Sequence, residues 1–366
     1  MNRHLPSPGP QSSEPAQRPA LRGMNLPAMK EMLGQAGFKP YRARQLYEWV
    51  FVHGADDFQQ MTNLPAELRQ WLAETTRLGG SQIVRVVGDP RQTCKVVLRL
   101  HDGALIESVI MREQCDEPPS VCLSSQVGCA LGCAFCRTGY GGFQRNLTVD
   151  EITGQLLALR QVLGPDVRIR HVVLMGMGEP MLNLEALVPA LELIIDPHGL
   201  KISRRRLTVS TAGHVPGMKE FARRAPRVGL AVSLNATTDQ IRSQIMPINR
   251  MWGLGDLLHA CRTFPLEPRQ RITFEYVLLR DLNDTLNDAR RLAGMIKDIR
   301  SKVNLIMYNP TPEFPWLPAS DRQVEQFAGV LSQAHYTVTI RRSKGQEIGA
   351  ACGQLAAHHF GLDAHE

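Results

Sequence analysis

Gly128-Cys129-Ala130-Leu131-Gly132-Cys133-Ala134-Phe135-Cys136 is the stretch on which the reading of this chain turns. Three thiols in a CxxxCxxC spacing on one short loop can converge on a soft metal centre, because thiolate sulfur suits iron–sulfur clusters or zinc. Gly128 and Gly132 let the loop wrap tightly. An ordinary 4Fe-4S cluster takes four thiolates, so three leave one iron open for a substrate or cofactor. The competing reading is a structural zinc site completed by Cys122 or Cys352. Structural zinc commonly uses paired CxxC knuckles, and the sequence holds no second CxxC.

Outward from the loop, apolar strand patterns alternate with helical ones. Strands are expected near 121–125, 171–176, 206–210, 229–234, 272–279 and 302–307, with helices at 148–163, 184–195, 253–263 and 283–297. Repeated βα units imply a parallel sheet, closed or partly closed into a barrel. The expected fold is therefore α/β, a partial (βα)6 barrel whose chemistry sits at the carboxyl ends of the strands. Polar groups recur at those ends. Met175-Gly176-Met177-Gly178-Glu179-Pro180 follows the second strand and Ser210-Thr211-Ala212-Gly213 the third. Ser233-Leu234-Asn235 follows the fourth and Tyr308-Asn309-Pro310 the sixth. Each alone would only close a turn; four successive rims make a site.

Upstream, Asn25-Leu26-Pro27-Ala28 and Asn63-Leu64-Pro65-Ala66 each read as a helix start with an Asn N-cap. Met29, Met32 and Leu33, then Ala43, Leu46, Tyr47 and Val50, recur at core-facing helical spacing. From Gln82 to Met111 the period becomes strand-like, and His101-Asp102-Gly103 marks a hairpin. The expected organisation is a disordered Pro/Ser/Gln-rich tail over 1–23, a helical accessory domain over 24–80 and a β-hairpin extension over 81–118. The barrel follows over 119–345 and a C-terminal segment over 346–366.

Lys+Arg exceed Asp+Glu by 42 to 35, a formal charge of +7, which admits either a solvated basic surface or an acidic partner. No apolar run is long enough to span a bilayer, and the start lacks a secretory apolar stretch. A cytoplasmic protein with no membrane partner is expected. Clustering of three of the eight cysteines points to metal rather than a disulfide framework. Cys94, Cys115 and Cys261 read as small buried hydrophobes.

The cluster loop at the head of a βα barrel resembles the radical S-adenosylmethionine (SAM) superfamily. That resemblance implies SAM held on the open iron and cleaved reductively to a 5′-deoxyadenosyl radical. It narrows at Cys122-Leu123-Ser124-Ser125-Gln126-Val127-Gly128-Cys129, Gly142-Phe143-Gln144-Arg145-Asn146-Leu147 and Ser203-Arg204-Arg205-Arg206. Met246-Pro247-Ile248-Asn249 and Ala350-Ala351-Cys352-Gly353-Gln354-Leu355 extend it. Together these resemble the ribosomal and transfer RNA adenine-C2 methyltransferases, from about Met24 to about Ala357.

The family resemblance implies a 4Fe-4S cluster on Cys129, Cys133 and Cys136. It implies SAM contacts at Gly178, Glu179, Ser210, Ser233, Leu234, Asn235 and Asn309; Asn235 stands where many members carry His. Cys352 matches the cysteine that carries the methyl group, Cys122 its partner thiol, and Glu107 a proton acceptor. The alternative for Glu107 is a solvated surface carboxylate. Two SAM molecules per turnover are implied, one to methylate Cys352 and one to supply the radical that activates that methyl. The activated carbon adds to adenine C2, and Cys122 then attacks the Cys352 sulfur, releasing the base and leaving a disulfide. The implied substrates are 23S rRNA, at adenine 2503, and tRNA. A flavodoxin- or ferredoxin-type electron donor and a monomeric enzyme are implied as well. Arg145, Arg204, Arg205, Arg341, Arg342 and Lys344 are candidate phosphate contacts, and the helical domain a candidate RNA-docking module. Two alternatives stay open: an adenine-C8 methyltransferase of similar chemistry, and a zinc-stabilised RNA-binding protein without catalysis.

Overall fold

Apolar strands between amphipathic helices commit the chain beyond Ser120 to a parallel sheet. The computed structural model describes residues 18–164, 166–225, 227–342 and 345–355. Three helices lead: α1 (Leu26–Gln35), α2 (Tyr41–Glu48) and α3 (Ala66–Thr75). Asn25 caps α1 as its sequence predicts, its side chain accepting from the Ala28 amide at 2.9 Å. The second Asn-Leu-Pro-Ala behaves differently: α3 has no side-chain cap, and Asn63 Oδ1 instead accepts from the Trp49 indole at 2.6 Å. Residues 1–17 of the expected tail lie outside the described residues. Its last part is not a tail, because Leu21–Gly23 form a 3-10 turn with Leu21 and Arg22 buried. The Arg22 guanidinium donates to Ala55 O and Gly79 O, each at 3.0 Å.

The expected hairpin extension is a three-stranded meander of β1 (Gln82–Gly88), β2 (Thr93–Arg99) and β3 (Leu105–Met111). It continues into the barrel sheet, because β3 pairs antiparallel with β4 (Ser120–Leu123). A small two-stranded sheet, β5 (Gln126–Gly128) and β6 (Phe143–Asn146), brackets the cluster loop and the short α4 (Arg137–Tyr140). The barrel then runs α5 (Val149–Leu163), β7 (His171–Leu174), α6 (Leu184–Ile195), β8 (Leu207–Thr211), α7 (Val215–Arg224) and β9 (Gly229–Ser233). It continues with α8 (Asp239–Ile245), α9 (Leu254–Arg262), β10 (Ile272–Leu278), α10 (Leu286–Met295), β11 (Ser301–Met307), α11 (Asp321–Gln333) and β12 (Val338–Arg341).

Among the described residues, ten strands form one sheet in the order β1-β2-β3-β4-β7-β8-β9-β10-β11-β12, and every neighbouring pair from β4 to β12 is parallel. All six expected barrel strands form. β12 adds a seventh, so the barrel is one βα unit longer than the sequence reading gave. The fold is the expected α/β partial barrel. One apolar cluster runs from Leu21, through Tyr47 and Leu72 of the helical module, to Leu305 and Leu331 of the barrel. The module therefore shares the barrel's core, and Tyr47 fixes it further by donating to Asp196 Oδ2 at 2.8 Å.

Candidate active site

The cluster loop leaves the carboxyl end of β4 and is shaped by backbone constraints. Gly128 sits at φ +73°, and a Cβ there would lie 1.9 Å from Gly142 O, so only glycine fits. The Cys129 amide donates to Gly142 O at 2.8 Å and the Ala134 amide to Ile245 O at 2.9 Å. The Trp316 indole donates to Ala134 O at 2.8 Å. Cys129, Cys133 and Cys136 all line one cavity at the barrel mouth. Burial pushes the Cys129 thiol up to about 12 and Cys133 well above the ordinary thiol value. Such thiols hold a negative charge only where a bound metal centre replaces their protons. Three thiols of one short loop facing one cavity give a cluster three thiolate ligands and leave its fourth iron open.

The rim after β7 is built by residues of the Cys122–Cys129 block. Gly178, at φ +100°, would place a Cβ 2.5 Å from Gln126 Cβ, and Gln126 Oε1 accepts from the Glu179 amide at 2.8 Å. Ser124 Oγ accepts from the Met177 amide at 2.9 Å. Glu179 is buried in the cavity wall. Its Oε1 accepts from the Met181 amide at 3.1 Å and its Oε2 from the Ala212 amide at 2.7 Å, while burial raises its carboxyl above the usual value. Ser210, Ser233 and Asn235 line the same cavity. Asn235 is held at φ +57°, with Oδ1 accepting from the Val277 amide at 2.9 Å. Leu234 departs from expectation. Its side chain is fully buried in the apolar core, its amide donates to Glu275 O, and its carbonyl is taken by Arg242, so it is not part of the cavity wall.

Arg242 was not anticipated. It is fully buried, and its guanidinium donates to Leu234 O, Asn249 Oδ1, Ala212 O and Ser233 O at 3.0, 2.9, 2.7 and 3.1 Å. One side chain thus staples the ends of β8 and β9. Asn249 of the Met-Pro-Ile-Asn block exists in this frame to orient it. Burial lowers this arginine to about 10.

The segment carrying Cys352 is tied across the mouth. Gly353 O accepts from the Arg137 amide at 2.8 Å and Leu355 O from Thr138 Oγ1 at 2.7 Å. Cys352 O accepts from Asn309 Nδ2 at 3.1 Å, while Gln346 donates to Asn309 Oδ1 at 2.6 Å. Cys352 itself is exposed at the mouth, whereas Cys122 is buried in β4; both are free thiols. Burial, and secondarily the Cys352 thiol, push Cys122 up to about 12; Cys352 lines the cavity and Cys122 does not. The surrounding protein raises Cys352 as well, opposed by Arg341.

Glu107 is not a solvated surface carboxylate. It is fully buried on β3, 3.0 Å from Lys95 Nζ of β2, and Lys95 Nζ also donates to Gly349 O at 3.4 Å. In register, Lys95 opposes Val109 and Val109 opposes Cys122, which puts Lys95, Glu107 and Cys122 on one face. Cys115 is exposed rather than a buried hydrophobe, while Cys94 and Cys261 are buried.

The candidate phosphate contacts divide. Arg145 is engaged by Glu151 and Asp102 and Arg342 by Asp321 at 2.8 Å. Arg204 and Arg205 precede β8, at the end of that strand opposite the cavity. Arg341 lines the cavity, and Lys344 lies outside the described residues. Exposed aromatics stand near the mouth: Tyr140, packed edge-on to Phe314, and Phe143.

A cysteine-lined cavity at the first loop of a parallel barrel, with a Gly-Glu-Pro rim beside it, defines a radical SAM enzyme, and residues 123–293 match the Radical SAM superfamily. Residues 20–78 match the Ribosomal RNA large subunit methyltransferase N-terminal domain. A crystal structure of a radical SAM methyltransferase from Sphaerobacter thermophilus aligns with TM-score 0.88 at 40% identity, covering 93% of this chain and 99% of that one. The dual-specificity RNA methyltransferase RlmN of Pelobacter propionicus is 45% identical, covering 92% of this chain and 95% of that protein. The RlmN of Geobacter sulfurreducens is 44% identical, covering 92% and 91%. The chain belongs to the RlmN family of radical SAM RNA methyltransferases, whose superfamily uses SAM and an iron–sulfur cluster. Among the described residues no helix is long and apolar enough to cross a membrane.

Proposed function

We propose that this enzyme methylates C2 of adenine in 23S rRNA and tRNA, using Cys352 as the methyl carrier and Cys122 as the thiol that releases the product. The observation carrying this reading is the tether. The Cys352 segment is hydrogen-bonded directly to the cluster loop at Arg137 and Thr138, which holds its thiol at the mouth of the cavity lined by Cys129, Cys133 and Cys136.

When bound, a 4Fe-4S cluster and SAM supply the reducing electron and hydrogen-atom abstraction that activate a methyl group toward an electron-poor ring carbon. The chain's own residues do the rest. Cys129, Cys133 and Cys136 hold the cluster, and Gly178, Glu179, Ser210, Ser233 and Asn235 form the wall that seats SAM. Asn309 lines the same wall as a SAM contact and gives both ends of its amide to the Cys352 segment, which positions the carrier. Cys352 accepts the methyl and forms the carbon link to the base. Glu107, its charge matched by Lys95, takes the C2 proton. Cys122 attacks the Cys352 sulfur and frees the base as a disulfide forms. Two SAM molecules are consumed per turnover, and a flavodoxin- or ferredoxin-type donor supplies electrons to a monomeric, cytoplasmic enzyme. Tyr140 and Phe143 offer stacking faces for an adenine drawn out of its helix.

The two cysteines give opposite outcomes. Cys352→Ala abolishes methylation and forms no adduct. Cys122→Ala still loads the methyl and attacks RNA, so a protein–RNA species linked at Cys352 through one carbon accumulates, located by digestion and mass spectrometry. Full turnover by Cys122→Ala sinks the paired-thiol mechanism. Product appearing as 8-methyladenosine in nucleoside analysis replaces C2 by C8.

A further inference from the structure

Two carboxylates line the cavity, Glu179 and Glu275, and they are not equivalent. Both oxygens of Glu179 accept backbone amides. Glu275 lies on β10, in register with Ser233 of β9 and Asn304 of β11. Its Oε1 accepts from Asn304 Nδ2 at 2.9 Å. Its Oε2 is buried with no hydrogen-bond partner among the described residues, although the residue is only 4% exposed. A buried carboxylate oxygen left without a donor carries a desolvation cost, and a wall of an enzyme cavity is where such a cost serves chemistry.

The groups acting on Glu275 are identifiable. Burial raises its carboxyl, opposed by Arg341 of β12, the Asn304 amide and Lys302 of β11. From the other side, the Cys352 thiol feels both Arg341 and Glu275. Carboxylate, guanidinium and the carrier thiol all line the one cavity and so face a shared space.

We propose that Glu275 accepts the proton that Cys352 gives up when it is methylated. The inference rests on the reading of Cys352 as the methyl carrier and adds the base which that step needs. The atoms balance. The SAM sulfur–methyl bond breaks, with its electron pair staying on the departing S-adenosylhomocysteine. The Cys352 sulfur pair forms the new carbon bond, and the thiol proton passes to Glu275 Oε2. Before the step the cavity holds a sulfonium and a carboxylate; afterwards both are neutral, an exchange that a low-dielectric site favours. Glu107 lies on the β2–β3 wall beside Lys95 and is not among the residues lining the cavity, so Glu275 is the acid that shares the cavity with the Cys352 thiol.

The test uses holoenzyme with SAM carrying a trideuterated methyl group, following the mass of the Cys352 peptide over time. Glu275→Gln slows methyl loading on the order of a hundredfold, the scale of general-base catalysis, and Glu275→Asp retains an intermediate rate. The second readout is alkylation of Cys352 by iodoacetamide, which needs no SAM. It is not slowed in Glu275→Gln, because without SAM in the cavity water reaches the exposed Cys352 and takes its proton. Loading by Glu275→Gln within twofold of the unaltered enzyme overturns the inference. Joint loss of loading and alkylation also overturns it, assigning Glu275 a packing role instead. Absence of label on Cys352 in the unaltered enzyme, seen before any variant is made, overturns the carrier reading itself.

Discussion

Replacing Arg242 by methionine tests whether the cavity rim is held by one buried side chain. The guanidinium makes four hydrogen bonds, three of them to the carbonyls of Ala212, Ser233 and Leu234. Hydrogen bonds to charged groups contribute about 1.5–3 kcal/mol each, so the gross loss is roughly 6–12 kcal/mol. Removing the guanidinium also removes its desolvation cost, which amounts to several kcal/mol. The net destabilisation is about 3–5 kcal/mol. With an unfolding entropy of about 2.1 cal/mol/K per residue, a protein of 366 residues loses about 4–6 °C in Tm. Arg242 does not line the cavity, so any change in ligand binding reports the rim it staples. Anaerobic calorimetric titration shows SAM affinity falling at least tenfold, alongside a lower urea midpoint. Arg242→Lys recovers only part of each effect, because an ammonium cannot reproduce the planar fork that serves three carbonyls at two strand ends. A variant within about 1 kcal/mol of the unaltered stability and within twofold in SAM affinity refutes the reasoning.

Gly178→Ala forces a Cβ to 2.5 Å from Gln126 Cβ at φ +100°; SAM binding is lost while the far-ultraviolet spectrum is kept, and normal SAM affinity contradicts the packing argument. Cys133→Ala removes a cluster ligand with no spare thiol on the loop, so iron and acid-labile sulfide after anaerobic reconstitution fall to background; full iron content with normal SAM cleavage removes Cys133 from the ligand set.

Local chemistry was legible in the sequence and long-range chemistry was not. α6 is found at its expected 184–195, because its apolar spacing is a local signal. β12 escaped notice because its four residues, Val-Thr-Ile-Arg, are only partly buried and carry no alternation long enough to read. The Asn-Leu-Pro-Ala repeat misled at Asn63, where a nearby indole competes for the side chain that caps α1 at the first copy. Lys95 and Glu275 share one signature that passed unread: a charged residue inside an apolar run, as in Ile272–Leu278; Arg242, among the polar neighbours of α8, shows no such signal. A charged residue in an apolar run is either on the solvent face or a deliberate buried polar group. Only strand register decides which, and register depends on residues far away.

The Cys352 segment makes the same point in its strongest form. Nothing near Cys352 encodes its place; the Thr138–Leu355 bond joins residues 217 apart. Four tethers end on main-chain carbonyls, those of Gly349, Cys352, Gly353 and Leu355. Their donors come from β2, the loop after β11 and the start of α4. Carbonyl tethers fix the path of the backbone whatever side chains the segment carries, so the place of Cys352 is set by the main chain. Cys122, by contrast, is held by strand pairing within the central sheet. One thiol is placed by long-range tethers and the other by strand register, and neither kind of placement is written in the residues next to it.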